Sequence, residues 1–425
     1  MSFDRRTLLA GLAPFVAACG APATNDDDMK HREPAGPNLP VTRIANVMEY
    51  GARGDGQSDD STAISKALSS LVDPTNTPRG GVLYFPAGTY LDSGRHVIPT
   101  EITVSIVGDG PGLTTLVRQQ NVRGTWWNLL GKYSSCHLLT FDGRNFGLEE
   151  PEALLALNAG YTTVHFVHFY NAAGTALEIG NQSSAIVHRL SSLQFRNSSL
   201  NHINVLPNSG STDGLWSDID GGISGRTGVV LGTGAQNISN LHVWGAGVNS
   251  DSDNDGIRVE SANNVIGSGW QSEKNLGIGV VLNGDRNQLH GGRAWGNCGA
   301  AVQIINGSNN LVTSNSFFDN AIGTDQARGR RRKTSFIEIS NSRGNLVANN
   351  VIADTGRELT PAQYSFAPKH PYPGRPAPQS TEVSALTVSD SHGGNNILAN
   401  MMESSGSGTF ISSQADRKDF FTDNR

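Results

Sequence analysis

The pattern of apolar and polar positions repeats along this chain. Short runs set a middle residue between two apolar neighbours: Ala176-Leu-Glu-Ile179, Ile203-Asn-Val205, Val229-Val-Leu231, Ile257-Arg-Val259, Val280-Val-Leu282, Val302-Gln-Ile304, Ile337-Glu-Ile339 and Leu386-Thr-Val388. Alternation of this kind is the period of a strand, so the flanking residues should face a core and the middle ones should face out. The middle residues are Glu178, Asn204, Val230, Arg258, Val281, Gln303, Glu338 and Thr387, at intervals of 26, 26, 28, 23, 22, 35 and 49. About seven residues after each of the last six comes an amide before an apolar residue: Asn237, Asn264, Gln288, Asn310, Asn345 and Asn396. One strand and one amide per period of this length predict a stacked solenoid in which side-chain amides bond from coil to coil. The intervals of 35 and 49 place insertions at about 321–335 and 355–383, and the stretch 245–255 falls at the same phase. Three loops at one phase should rise along one edge of one sheet and wall a groove.

Upstream, the pattern changes. From Val41 the chain reads VTRIANVMEYGARGDGQSDDSTAISKALSSL. Ser58-Asp59-Asp60 is good N-cap chemistry for a helix that gathers Ala63, Ile64, Ala67, Leu68 and Leu71 on one face. Residues 80–90, GGVLYFPAGTY, then read as a strand closed by a Pro-Ala-Gly turn. The run YGARGDGQSDDSTAI followed by GGVLYFPAGTY resembles the N-terminal signature of the pectate-lyase-like superfamily. That group includes polygalacturonase-related hydrolases, polysaccharide lyases, uronan epimerases and phage tailspikes. The resemblance implies an all-β fold, a single-stranded right-handed parallel β-helix with a short N-terminal capping helix. Asp55, Asp59 and Asp60 within it are expected to be structural.

Composition narrows the class. Only 16% of residues are charged and 50 are Gly, which suits a turn-rich β protein. A net charge of −6 argues against a nucleic-acid binder by bulk electrostatics. Cys136 and Cys298 lie 162 residues apart, roughly 30 Å along a coil stack, too far for a disulfide, so buried free thiols are expected. At the N-terminus Arg5-Arg6 precedes an apolar stretch from Leu8 to Ala18 of signal-peptide length. The sequence Val16-Ala-Ala-Cys19-Gly20 resembles a lipobox and the paired arginines resemble a twin-arginine export signal. These resemblances imply acylation of Cys19 and an exported bacterial lipoprotein of the cell envelope, in the outer membrane or periplasm. The expected organisation is an export signal at 1–19, a flexible tether at 20–40, the β-helix at 41–415 and a C-terminal tail at 416–425.

The densest candidate chemistry is Asp251-Ser-Asp253-Asn-Asp255-Gly-Ile-Arg258-Val-Glu260. Arg258 and Glu260 should share an outward face, with Asp253 and Asp255 at the junction of loop and strand. The stretch 253–259 resembles a polygalacturonase motif in which Asp255 matches the first Asp, but Arg258 stands where the second belongs. The same carboxylates can alternatively satisfy turn backbone and pair with Arg258. A second column, Glu273, Asn297, Asp319 and Asp354, is expected to stack one residue per coil. Trp244, Gln271, Trp295, Phe317 and Ile352, with Trp270 one place early, form an aromatic-rich row expected to stack in the core. Further substrate-contacting candidates are His202, Glu338, the basic run Arg328, Arg330, Arg331, Arg332 and Lys333, and Tyr364, Lys369 and His370 in a Pro-rich loop. Three functions fit: a lyase acting on a uronate-containing polysaccharide, a glycoside hydrolase using paired carboxylates, and a non-catalytic glycan-binding module. In the first, Asp253 and Asp255 could hold a cation such as Ca²⁺. The expected partners are the polysaccharide and, through lipid alone, a membrane. Trimers occur among the resembling proteins, so a homotrimer is a further expectation.

Overall fold

The computed structural model describes residues 43–404 apart from 74, 76–79, 120–123, 145–152, 251, 322–334, 356–383 and 390–392, together with the strands Ile411–Ser413 and Phe420–Thr422. The predicted helix forms at Ser61–Val72 and buries Ala63, Ile64, Ala67, Leu68 and Leu71, the five residues its pattern singles out. It packs on the strands Ile44–Asn46 and Gly81–Phe85 of the first coil. Asp60, at the N-cap position, does not cap through its side chain. Its carboxylate instead accepts from the backbone N–H groups of Arg53 and Gly54, at 2.7 and 3.2 Å, and pins the Gly-rich turn to the helix.

Among the described residues every strand pair is parallel, and the strands form an all-β solenoid of two hydrogen-bonded sheets. The smaller sheet has twelve strands. In it the predicted triplets pair in sequence order, Glu178 with Asn204, then Val230, Arg258, Val281, Gln303, Glu338 and Thr387. Their apolar neighbours are buried throughout, and the middle residues are partly exposed except Val281, which is buried. Cys136 and Cys298 are free buried thiols. Pairing runs beyond 415, because Phe420–Thr422 pairs with Asn396–Leu398 and so takes part of the expected tail into the sheet.

The larger sheet, of 22 strands, bends once per coil. The bends fall at Leu138, Phe166, Ser192, Asp218 and Asn240, each in the left-handed region inside a strand of eight to ten residues. In later coils Gly269, Gly291, Ser314 and Asn349 occupy the corresponding place between two short strands. A left-handed residue is costly for Leu or Phe and cheap for Gly, Asn or Asp, so Asp218, Asn240, Gly269, Gly291 and Asn349 suit the corner better than Leu138 or Phe166. Each bend also breaks the alternation: His165 and Phe166 are consecutive exposed residues, after which Val167 and Phe169 point in and His168 and Tyr170 point out. Phe141, Phe169 and Phe195 stack in the interior at 5.4 and 4.9 Å between ring centroids.

The amide ladder exists, with its register corrected at half of the expected positions. Its members are Gln236, Asn264, Asn287, Asn310, Asn345 and Asn395, and the backbone N–H of each of the first five donates to the side-chain oxygen of the next at 2.8–3.0 Å. Asn237, Gln288 and Asn396 are instead exposed. The ladder amide sits two residues before the inward apolar side chain. Two further ladders run through Asn275, Asn297 and Asn320 and through Asn315, Asn350 and Asn400. Asn297 therefore leaves the expected Glu273 column for the interior.

Candidate functional site

The cluster singled out in the sequence is partly assembled. Asp255 is buried; it accepts from the Ile278 backbone N–H of the next coil and from Arg258, both at 2.9 Å. The Arg258 Nε also bonds to Glu260, whose other oxygen takes the amide of Asn283. Burial pushes the Asp255 carboxyl up, against the pull of the Ile278 N–H and Arg258. Asp253 stands apart and exposed, with its nearest cation, Arg226, at 4.0 Å. Asp255 is thus committed to backbone and Arg258, while Asp253 faces Arg226. Among the described residues, no group of three or more His, Cys, Asp or Glu is placed to hold a metal ion. Glu338 lies on the same outward column and accepts from Gln303 at 2.9 Å.

The expectation for His202 needs correction. It is fully buried inside the coil, bonded through Nδ1 to Ser198 at 2.9 Å and packed against Phe195. Burial lowers its pKa to about 3, so it is a neutral core imidazole that no substrate can touch. The aromatic row also divides: Trp270, Phe317 and Ile352 are buried as expected, while Trp244 and Trp295 are partly exposed. Cys19, Asp251, Arg328, Arg330, Arg331, Arg332, Lys333, Tyr364, Lys369 and His370 lie outside the described residues, as does most of both insertions.

A second ion cluster, which the sequence reading did not gather, is built across coils on the larger sheet. Register stacks Gln194, Asp220, His242 and Gln271 in one outward column. Tyr170, Arg196, Gly222, Trp244 and Glu273 form the column beside it. Arg196 bonds to the Asp220 carboxylate. The His242 ring lies between two carboxylates, with Nδ1 3.1 Å from Asp220 and Nε2 3.4 Å from Glu273. These are charge contacts more than aligned hydrogen bonds, since the His242 Nε2 and an Asp220 oxygen have no partner of good geometry. Gly222 makes room for the cluster: a Cβ there would lie 2.3 Å from the Trp244 ring. The Arg196 guanidinium sits 5.7 Å from that ring's centroid. At the head of the columns the Tyr170 hydroxyl donates to Gln194 at 2.6 Å and lies 3.1 Å from His168 Nδ1.

The electrostatics follow from this stacking. Burial alone would lower the His242 pKa, but Asp220 and Glu273 outweigh it and raise it to about 9, so the ring is a cation at neutral pH. Burial would raise Asp220, but His242 and Arg196 bring it to about 2. Glu273 is held below the usual carboxylate range by His242, with Lys274 and Arg293 adding to this, all against burial. His168 is lowered by burial and by Arg196, and so stays neutral. Burial raises Tyr170, which stays a phenol.

Next to the row is a hollow of about 390 Å³ lined by Glu273, Arg293, Trp295, Phe318, Asp319 and Thr355. Glu273, Trp295 and Phe318 are successive register partners. Two members of the expected acidic column, Glu273 and Asp319, thus meet here. Asp319 is buried and accepts from the Thr355 N–H at 2.8 Å and from its hydroxyl at 2.9 and 3.0 Å. Asp354 pairs in register with Ser404, one place beyond Ala353, the partner of Phe318.

Known proteins share this architecture. The solved A-module of the mannuronan C-5 epimerase AlgE6 of Azotobacter vinelandii superposes with a TM-score of 0.66 at 14% identity, over 89% of this chain and 98% of the module. In sequence, 114 residues are 34% identical to the mannuronan C5-epimerase AlgE3 of the same organism, which is 25% of this chain and 6% of that protein. Another 75-residue match, 43% identical, is to a glucan 1,3-beta-glucosidase of Cochliobolus carbonum and spans 16% of this chain and 9% of that protein. The chain therefore covers under a tenth of either curated relative. A family model, described as rhamnogalacturonase A/epimerase, pectate lyase-like, matches residues 44–281, more than half the chain and the whole row from Tyr170 to Glu273. On that extent, the chain belongs to the rhamnogalacturonase A/epimerase family of pectate-lyase-like proteins.

Proposed function

We propose that this protein removes the C5 proton of a uronate unit in an anionic polysaccharide and breaks that chain by β-elimination. The observation that carries the reading is the row itself: two cations, Arg196 and protonated His242, beside a neutral imidazole and a protonated phenol. The C5 proton of a uronate becomes removable when the adjacent carboxylate is neutralised, which Arg196 and His242 are placed to do. His168 is the base candidate. It takes the C5 proton, the C5–H electrons form the C4–C5 double bond, and the C4–O bond breaks. The leaving oxygen takes the proton of Tyr170. Asp220 and Glu273 keep His242 charged, a positioning role.

The charge states favour elimination over hydrolysis on this row. A glycosidase of the paired-carboxylate kind needs one carboxyl protonated, and here Asp220 and Glu273 are both held ionised. The likeness to mannuronan C5-epimerases supports proton chemistry at C5, and the likeness to a glucosidase supports the competing reading. Incubation with polymannuronate and polygalacturonate separates them. Elimination gives a product absorbing in the near ultraviolet through its new double bond. Hydrolysis gives reducing ends alone, epimerisation exchanges the C5 hydrogen with solvent without cleavage, and a binding module does none of these.

From residues 1–19 we also propose export and anchoring through acylated Cys19. Two or more acyl chains, at about 0.8 kcal/mol per buried CH₂, suffice to hold it at a membrane. Cys19→Ala should release soluble protein. A wild-type protein that takes up no labelled fatty acid and fractionates as soluble would end this reading.

A further inference from the structure

The hollow beside the row shares only Glu273 with the chemistry just described, and it sets two aromatic rings, Trp295 and Phe318, on an outer sheet face. Trp295 and Phe318 are partly exposed on adjacent strands, each an outward residue between inward neighbours. The Lys274 ammonium lies 4.7 Å from the centroid of the Trp295 ring, and Arg293 reaches Gln271 at 2.7 Å. An aromatic face beside two cations is the chemistry that recognises a sugar ring bearing a carboxylate: the ring's C–H face packs on the indole, and the anion meets Lys274 and Arg293. At about 390 Å³ the hollow is within the size range of small-ligand sites. Position adds the last point. Trp295 is two strands along the stack from His242, about 10 Å at the spacing of parallel strands. A polysaccharide lying along the coil axis with one unit at His242 would extend into it.

We infer that the hollow lined by Glu273, Arg293, Trp295, Phe318, Asp319 and Thr355, with Lys274 over the Trp295 ring and 4.0 Å from Glu273, is a subsite for a non-reacting uronate unit of the same polysaccharide. This rests on the reading of the neighbouring row as a uronate site, and it adds the direction in which the chain lies. Glu273 belongs to both places, since it contacts His242 on one side and lines the hollow on the other.

Binding tests the subsite independently of turnover. Hexameric oligomannuronate, hexameric oligogalacturonate and neutral cellohexaose are each titrated by calorimetry into wild type, Trp295→Ala and Arg293→Gln. The expected result is that an acidic hexamer binds, cellohexaose binds at least tenfold more weakly, and each variant weakens the acidic hexamer tenfold or more. In turnover, Trp295→Ala should raise KM for the hexamer far more than for a dimer. Circular dichroism melting checks that each variant is folded, and Arg293→Gln carries the test if Trp295→Ala is not. Equal affinity of wild type and both folded variants for the acidic hexamers overturns the subsite, even if the enzyme proves to be a lyase. Affinity for cellohexaose equal to that for the acidic hexamers overturns its anionic class. Binding that depends on Trp295 in a protein without C5 chemistry upholds the subsite and sinks the reading of the row.

Discussion

Two clusters of acid and base sit on the two sheets of this solenoid, and they are built in opposite ways. Asp255, Arg258 and Glu260 lie within six residues of one another, on one loop and one strand. Their groups are turned on each other, on the Ile278 backbone and on Asn283, so the cluster fastens one coil to the next. Arg196, Asp220, His242 and Glu273 come from four successive coils and are spread over 78 residues. Their charges meet edge to edge in a partly exposed row, with a cation held between two anions. Local density of charge therefore marks a staple here, and stacking across coils marks the row proposed to react.

The sharpest way to break that contrast is to remove one member of each cluster. Arg196→Ala and His242→Gln should each cut turnover on the polyuronate by 10² or more, as expected for electrostatic groups at the reacting carbon, while each variant stays folded at the assay temperature. Arg258→Ala should do the reverse. It strands the buried Asp255 carboxylate, lowers stability by about 2–3 kcal/mol in denaturant unfolding, and leaves turnover within a few-fold. If Arg258→Ala cuts turnover a hundredfold and melts like wild type, the roles of the two clusters are exchanged.

A smaller effect is expected from the interior. Asn310→Ala and Asn345→Ala should each cost about 1–3 kcal/mol by stranding the buried backbone N–H of Asn287 and of Asn310 respectively, while the exposed Gln288→Ala should stay within about 0.5 kcal/mol. Equal melting of Asn310→Ala and Gln288→Ala would contradict the corrected register.

The smallest effect, and the most diagnostic of the row, is pH dependence. The folded pKa of His242, about 9, lies above its ordinary 6.5. Its contribution to stability is therefore complete below about 6.5 and is lost as pH rises through about 9. Asp220, held at about 2, contributes above its ordinary 3.8 and loses this as pH falls through about 2. Turnover should share the alkaline limb, and His242→Gln should abolish that limb in the melting profile. Arg258 has no such limb near pH 9, because a guanidinium stays charged there. An unchanged alkaline limb in His242→Gln would remove the imidazolium from the account.

How much of this was legible follows from the same geometry. The smaller sheet obeys strict alternation, so its strands, their order and their outward residues could be read from the triplets, as could the buried face of the helix. On the larger sheet the left-handed residue inside each strand shifts the alternation by one. His168, Tyr170, Asp220 and His242 all lie beyond such a bend, and no constant spacing connects them. Glu273 could be flagged from the amide count, but its partner His242 could not. The amides were half legible for a similar reason: at Gln236-Asn237 and Asn287-Gln288 both neighbours can form a ladder, and only the side on which the chain turns decides between them. A count of outward residues from the stacked Phe169 and Phe195 would have aligned His168 with Gln194 and so begun the row.

The helix Ser61–Val72 covers the first coil, and every later coil is held by its immediate neighbours on either side. A stack of this kind behaves as a one-dimensional array, in which an end can fray while the rest keeps its shape. Denaturant should therefore release coils neighbour by neighbour rather than all at once. The row from Tyr170 to Glu273 has several coils on either side, between the helix and Thr422, so its ion pairs should outlast the loss of outer coils on unfolding.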